Sequence, residues 1–140
     1  VLDQRSQGLT ILNLMIQNRD SQTLEIELIK KLAQLKYFLL DFEGALKEFE
    51  KGRRLNANDI ELLIGEANTR LVLEKESISK KTVELFTKVL EERPNDITAL
   101  LVLADYNFYS KNYIVSKRYY QKFCFLIFKS FCSISKIFES

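Results

Sequence analysis

Apolar residues return every three or four positions along most of this chain, which predicts a succession of amphipathic helices. Between Ser79 and Ala104 the pattern carries its own punctuation. Thr82, a small residue, precedes the aromatic Phe86 by one helical turn; the apolar pair Val89–Leu90 follows, and then Pro94. Residues four apart share a helical face, so a small and a bulky side chain stand one above the other. Pro cannot continue a helix, and Asn95-Asp96 behind it opens the next one, which carries Leu103–Ala104.

The same signs recur. Alanines at Ala33, Ala67 and Ala104 are separated by 34 and 37 residues, and the aromatics Phe49, Phe86 and Tyr120 by 37 and 34. Asn58-Asp59-Ile60-Glu61 returns as Asn95-Asp96-Ile97-Thr98, also 37 on. Three aligned units with one local insertion satisfy both series, and the three added residues fall in Glu74–Ser79. This punctuation resembles that of tetratricopeptide (TPR) repeats, in which each pair of helices buries its apolar stripe against the next pair. The expected fold is all-α, a TPR-type α-α superhelix of three helix-turn-helix repeats behind an N-terminal capping helix.

The expected boundaries form a single domain over residues 1–140. Residues 1–22 hold the cap, a helix over roughly Gln4–Gln17 whose Leu9, Leu12, Met15 and Ile16 share a face. Repeat one spans 26–59, with Asp41 as the N-cap of its second helix, Ala45 at the helix crossing and Ala57 where a Pro is usual. Repeat two spans 60–96 and includes the insertion. Repeat three spans 97–128, with Lys111-Asn112-Tyr113 as its turn, Ser116 as its small residue and Tyr120 as its aromatic. An apolar tail, 129–140, follows. Phe123–Phe128 has no period, and an extension of the last helix over the final repeat is expected there, with a partner-facing tail as the alternative.

Composition narrows the chemistry. One Pro and four Gly among 140 residues favour helices. The chain has no histidine, which excludes His-based general bases, His-containing zinc sites and Ser-His-Asp or Cys-His nucleophiles. No Gly-rich phosphate loop or clustered carboxylate pair takes their place, so no enzyme, metal or cofactor is expected. Cys124 and Cys132, eight apart, would lie ~12 Å apart on one helix, beyond the ~7 Å a disulfide tolerates; free thiols are expected. The net charge is +2 and the basic residues read as spread along the chain, giving no nucleic-acid footprint. Lys51, Arg53 and Arg54 read as a solvated face, and Glu66 with Arg70 as a local i,i+4 pair. No apolar run approaches the ~20 residues of a membrane helix, and the chain, beginning at Val1, reads as a fragment or processed product.

In a TPR array the first helix of each repeat lines a groove. Counting faces places Lys30, Gln34 and Tyr37 there from repeat one, Ile64, Asn68 and Leu71 from repeat two, and Leu101, Asp105 and Phe108 from repeat three. TPR domains that clamp a C-terminal carboxylate carry Lys, Asn and Arg across these helices. Lys30 fits one such place, but Gly65, Thr98 and Val102 stand in others. The remaining lining is apolar and aromatic, which suits an amphipathic peptide helix.

The cap, the three repeats, the lengthened loop and Asn95-Asp96-Ile97-Thr98-Ala99-Leu100-Leu101-Val102-Leu103-Ala104 together resemble one bacterial group over about Gln4–Phe123. These are the periplasmic TPR proteins of c-type cytochrome biogenesis, the haem-lyase accessory or apocytochrome-chaperone subunits. The resemblance implies a non-catalytic chaperone that binds the C-terminal helix of apocytochrome c. It also implies haem-lyase subunits as partners and a periplasmic, membrane-associated location for the full-length protein. The alternative is a structural scaffold for another bacterial complex, self-associating through its convex face or its tail.

Overall fold

The computed structural model describes residues 6–8, 10–11, 22–75 and 77–139, and every element among them is an α-helix. The helices are α1 (Gln22–Phe38), α2 (Phe42–Leu55), α3 (Ile60–Leu73), α4 (Lys80–Glu92), α5 (Ile97–Tyr109) and α6 (Tyr113–Glu139). The described residues are therefore all-α and built of TPR-type helix pairs. Of the expected cap, residues 6–8 and 10–11 are helical, and the rest lies outside the described residues. Two compact units divide the chain, Val1–Ser77 and Ile78–Ser140, with the division inside the loop that carries the added residues.

In the first unit α1 packs antiparallel on α2, and α3 packs on both. Ala33 and Ala45, each fully buried, let α1 and α2 approach closely. Around them Ile26, Phe49 and Leu62 form the core, with Tyr37 and Leu55 against it. The Phe49 ring packs against α3 at Gly65, where an added Cβ would come within 2.2 Å of Cε1. Gly65 is there because the ring occupies the place of a side chain.

In the second unit α5 packs between α4 and α6. Thr82, Leu85, Phe86 and Val89 form the buried face of α4, and Leu100, Leu103 and Ala104 that of α5. Ser116, 2% exposed, takes the place of the crossing alanine, and its Oγ donates to the Ala104 carbonyl at 2.9 Å. A hydroxyl at that crossing is satisfied by the partner helix and leaves no buried polar atom without a bond.

The ends of the helices follow from their sequences. Asp41, Asp59, Ser79 and Asp96 are the N-caps, and their side chains accept from backbone N–H groups of the first turn. Helices α1 and α5 close with residues in the left-handed region, Leu40 at φ 62° and Lys111 at φ 63°. The bonds around them match: Asp41 N–H reaches the Lys36 carbonyl at 2.9 Å, and Asn112 N–H the Asn107 carbonyl at 2.7 Å. These are Schellman closures without the usual glycine. Leu40 and Lys111 are 71 residues apart, the same interval as Ala33 to Ala104, so the two turns are equivalent repeat positions. A side chain costs ~1 kcal/mol in this conformation. Leu40→Gly and Lys111→Gly should therefore each raise the unfolding free energy by about 0.5–1 kcal/mol in urea titrations.

The boundary expected at 128–129 has no structural mark, since α6 is one helix of 27 residues through it. Cys124 and Cys132 both lie on this helix, Cys124 as an exposed thiol.

Candidate functional site

Of the six expected groove residues in the first unit, Lys30 is the most constrained. Its side chain is buried, and Nζ lies 2.8 Å from Glu27 Oε1, 2.9 Å from Asp59 Oδ2 and 3.1 Å from Glu61 Oε2. An ammonium has three donors, and here three carboxylates take them. Asp59 also caps α3, so Lys30 ties α1 to the start of α3 and is not presented to a peptide carboxylate. Burial disfavours the ammonium, but its bonds to Glu27, Asp59 and Glu61 outweigh that and hold its pKa above the ordinary lysine value. Burial likewise opposes ionisation of Asp59, while Lys30 and the Leu62 and Glu61 N–H groups hold its pKa below normal.

The signs define the range over which this tie holds. The stabilisation from Lys30 is complete below its unfolded pKa, ~10.4, and fades as pH rises through the higher folded value. That from Asp59 is complete above ~3.9 and fades as pH falls through its lower folded value. Glu27 and Glu61 are half exposed and remain hydrated without Lys30, whereas Asp59 loses a partner in a confined place. Lys30→Met should cost about 1–3 kcal/mol at pH 7 and flatten the loss of stability above pH ~10. Urea titrations of both proteins across pH 6–11 would measure this.

Tyr37 packs against the core beside α2, its ring edge-on to Phe42 with centroids 5.2 Å apart. Gln34 is exposed and lines a small hollow with Lys31, Phe38 and the helical residues Gln7, Thr10 and Ile11. Ile64, Asn68 and Leu71 are half-buried on α3.

A second ionic network, between α2 and α3, changes two of the expectations. Glu66, 2% exposed, receives Arg53 Nη1 at 2.7 Å and Arg70 Nε at 3.0 Å, and Arg70 also pairs with Glu50. Arg53 does not belong to a solvated cluster: its side chain is only 17% exposed because it is drawn to a carboxylate on the neighbouring helix. Glu66–Arg70 is likewise more than a local pair. Burial opposes the Glu66 charge, but the two guanidiniums hold its pKa below the usual carboxylate range.

In the second unit Leu101 is partly exposed and Asp105 is half-buried, accepting the Tyr120 hydroxyl proton. That bond, with lesser help from burial and the carboxylate charge, pushes the Tyr120 pKa up to about 12, so the phenol keeps its proton at neutral pH. Phe108, 49% exposed, meets Tyr109 and Tyr113 edge-to-face, each with centroids 5.7 Å away. It stands at one side of an open apolar groove shared with Tyr113, Tyr120 and Cys124 of α6, with Lys117 and Gln121 among its polar lining.

The structure thus places Phe108 at this groove, holds Asp105 behind it on the Tyr120 hydroxyl, and ties Lys30 into a structural cluster. The α6 side of the groove was not anticipated. Tyr113, Tyr120 and Cys124 are spaced by seven and four and share a helical face, which is the signal in the sequence for that side. The arrangement can bury an apolar surface and offer it the ammonium of Lys117 and the amide of Gln121. Among the described residues no group of His, Cys, Asp and Glu could hold a metal ion, and no helix is long and apolar enough to cross a membrane.

No protein-family model matches the chain, and no curated protein matches it. Among solved structures it is similar to the MamA RS-1 ArsTM double mutant at 13% identity, over 89% of this chain and 86% of that one, with a TM-score of 0.48.

Proposed function

We propose that this chain is a non-catalytic protein-interaction module that takes an amphipathic peptide helix by its apolar face. The observation that carries the proposal is Phe108, half exposed at an aromatic groove that Lys117 and Gln121 also line. A large exposed aromatic beside polar groups is the usual anatomy of a peptide anchor point. Ile64, Asn68 and Leu71 on α3 are the corresponding candidates in the first unit. The resemblance of the repeat sequence to TPR subunits of c-type cytochrome biogenesis makes the C-terminal helix of apocytochrome c the peptide of choice. Periplasmic work beside haem-lyase subunits follows from the same proposal.

Calorimetric titration with apocytochrome C-terminal peptides and a scrambled control tests it. Saturable binding should be weakened at least ~10-fold by Phe108→Glu, as expected for loss of a central anchor. Leu71→Glu should weaken binding where the first unit makes a peptide contact of its own through α3. A folded protein that binds none of the peptides would defeat this reading and favour the structural scaffold.

A further inference from the structure

The charge of this chain is not spread evenly, contrary to the first impression from its sequence. Residues 106–138 contain six basic side chains and no Asp or Glu; the rest of the chain holds 15 basic and 19 acidic residues. The segment carries +6 and the remainder −4. Most of that segment is α6, whose 27 residues run to about 40 Å, against about 20 Å for the 13 residues of its partner α5. An antiparallel partner of half the length leaves the far end of α6 uncovered. Ile127, Phe128, Phe131 and Ile134 are accordingly between 43% and 72% exposed.

Their arrangement is ordered. At about 100° per residue, Ile127, Phe128, Phe131 and Ile134 fall within roughly one third of the helix circumference, centred on Phe131. Arg118, Lys122 and Lys129 fall within a narrow stripe roughly 160° away. An aromatic and aliphatic face opposite a basic one, with Glu139 at the last position as the single acidic residue of the helix, is the pattern of a helix lying in a membrane interface. The exposed Phe125 borders the basic stripe, and a protein partner that met the apolar face with matching side chains would have no use for the three cations behind it. An anionic surface attracts every charge that lies within about a Debye length of it.

We propose that the overhanging end of α6 lies flat on an anionic lipid surface, with Phe128 and Phe131 entering the acyl boundary. The helix lies on the bilayer and does not cross it. The seat lies beyond the peptide groove, whose lining on α6 ends at Cys124.

The test is sedimentation of the full chain with vesicles of phosphatidylcholine alone and of phosphatidylcholine with 30 mol% phosphatidylglycerol, at 0.05 and 0.5 M salt. Binding should require the anionic lipid and fall with salt. Lys122→Gln with Lys129→Gln should weaken it roughly 25-fold, since each lysine near such a surface contributes about a fivefold effect. Phe128→Ser with Phe131→Ser should weaken it by at least tenfold, with the helical circular dichroism kept because both side chains are exposed. Equal binding to neutral vesicles, or none to either, would overturn the proposal. So would self-association in lipid-free solution, followed by sedimentation velocity, that Phe128→Ser with Phe131→Ser abolishes: a second copy would then be the occupant.

Discussion

Phe49→Ala is expected to lower the stability of the first unit by about 3–5 kcal/mol, and the loss should depend on what stands at position 65. Phe49 is 5% exposed, and its ring fills the space over Gly65, where a Cβ would meet Cζ at 2.5 Å and Cδ1 at 2.6 Å. Two effects compete in Gly65→Ala. Alanine is the better helix former by ~1 kcal/mol. Forcing the ring away costs about 1–3 kcal/mol, because α1 and α2 hold it from the other side. The clash should win in the wild-type background. With Phe49→Ala the ring is gone, the clash vanishes and only the helix preference remains, so Gly65→Ala should then become stabilising. A double-mutant cycle in urea, with hydrogen exchange followed over residues 42–73, would show this reversal of sign. Additive effects would mean that the ring and the glycine do not share the contact described.

Glu66→Ala is expected to cost about 3 kcal/mol at pH 7, the lower end of the range for breaking a buried ion pair. The lower end applies because the Arg53 and Arg70 side chains keep 17% and 15% exposure, and because Arg70 retains Glu50. What is lost is less the attraction than the solvation of Arg53, which would be left beside an apolar methyl. Glu66→Gln keeps two hydrogen-bond acceptor positions and the shape, and should cost less. The pH dependence separates charge from shape. A carboxylate whose folded pKa is depressed contributes stability that is present above its unfolded pKa, ~4.3, and lost as pH falls through the folded value. The acid limb of the wild type should therefore be steeper below pH ~4 than that of Glu66→Gln. Parallel acid limbs would show that Glu66 acts by shape alone.

The parts of this fold that were legible in the sequence are those set by local spacing. Ala33, Ala45, Phe49 and Phe86 announce a buried face because small and large residues one turn apart have few other uses. Asp41, Asp59 and Asp96 announce helix starts because a short acidic side chain bonds its own first turn. The ionic partners of Lys30 and Arg53 were not legible for the opposite reason. Their partners lie on other helices, and a face count cannot say which neighbour will bring a carboxylate. Gly65 stood out only as the wrong residue for a carboxylate clamp, since its need for no side chain arises from Phe49, 16 positions earlier. The turns at Leu40 and Lys111 carried no glycine to mark their left-handed backbone. The irregular apolar run Phe123–Phe128 hid the order of the longer helix, visible only when α6 is taken whole.

The uneven charge of α6 also sets how the protein meets any charged solid. A molecule of net charge +2 with its charges well mixed should barely hold to a cation exchanger at neutral pH. This one presents six positive charges on a single 33-residue stretch and should be retained well beyond that expectation. Cleaved after Asp105, the N-terminal piece would keep the acidic surplus and pass to the opposite resin. Net charge, the quantity by which such behaviour is usually judged, here averages two ends of opposite character.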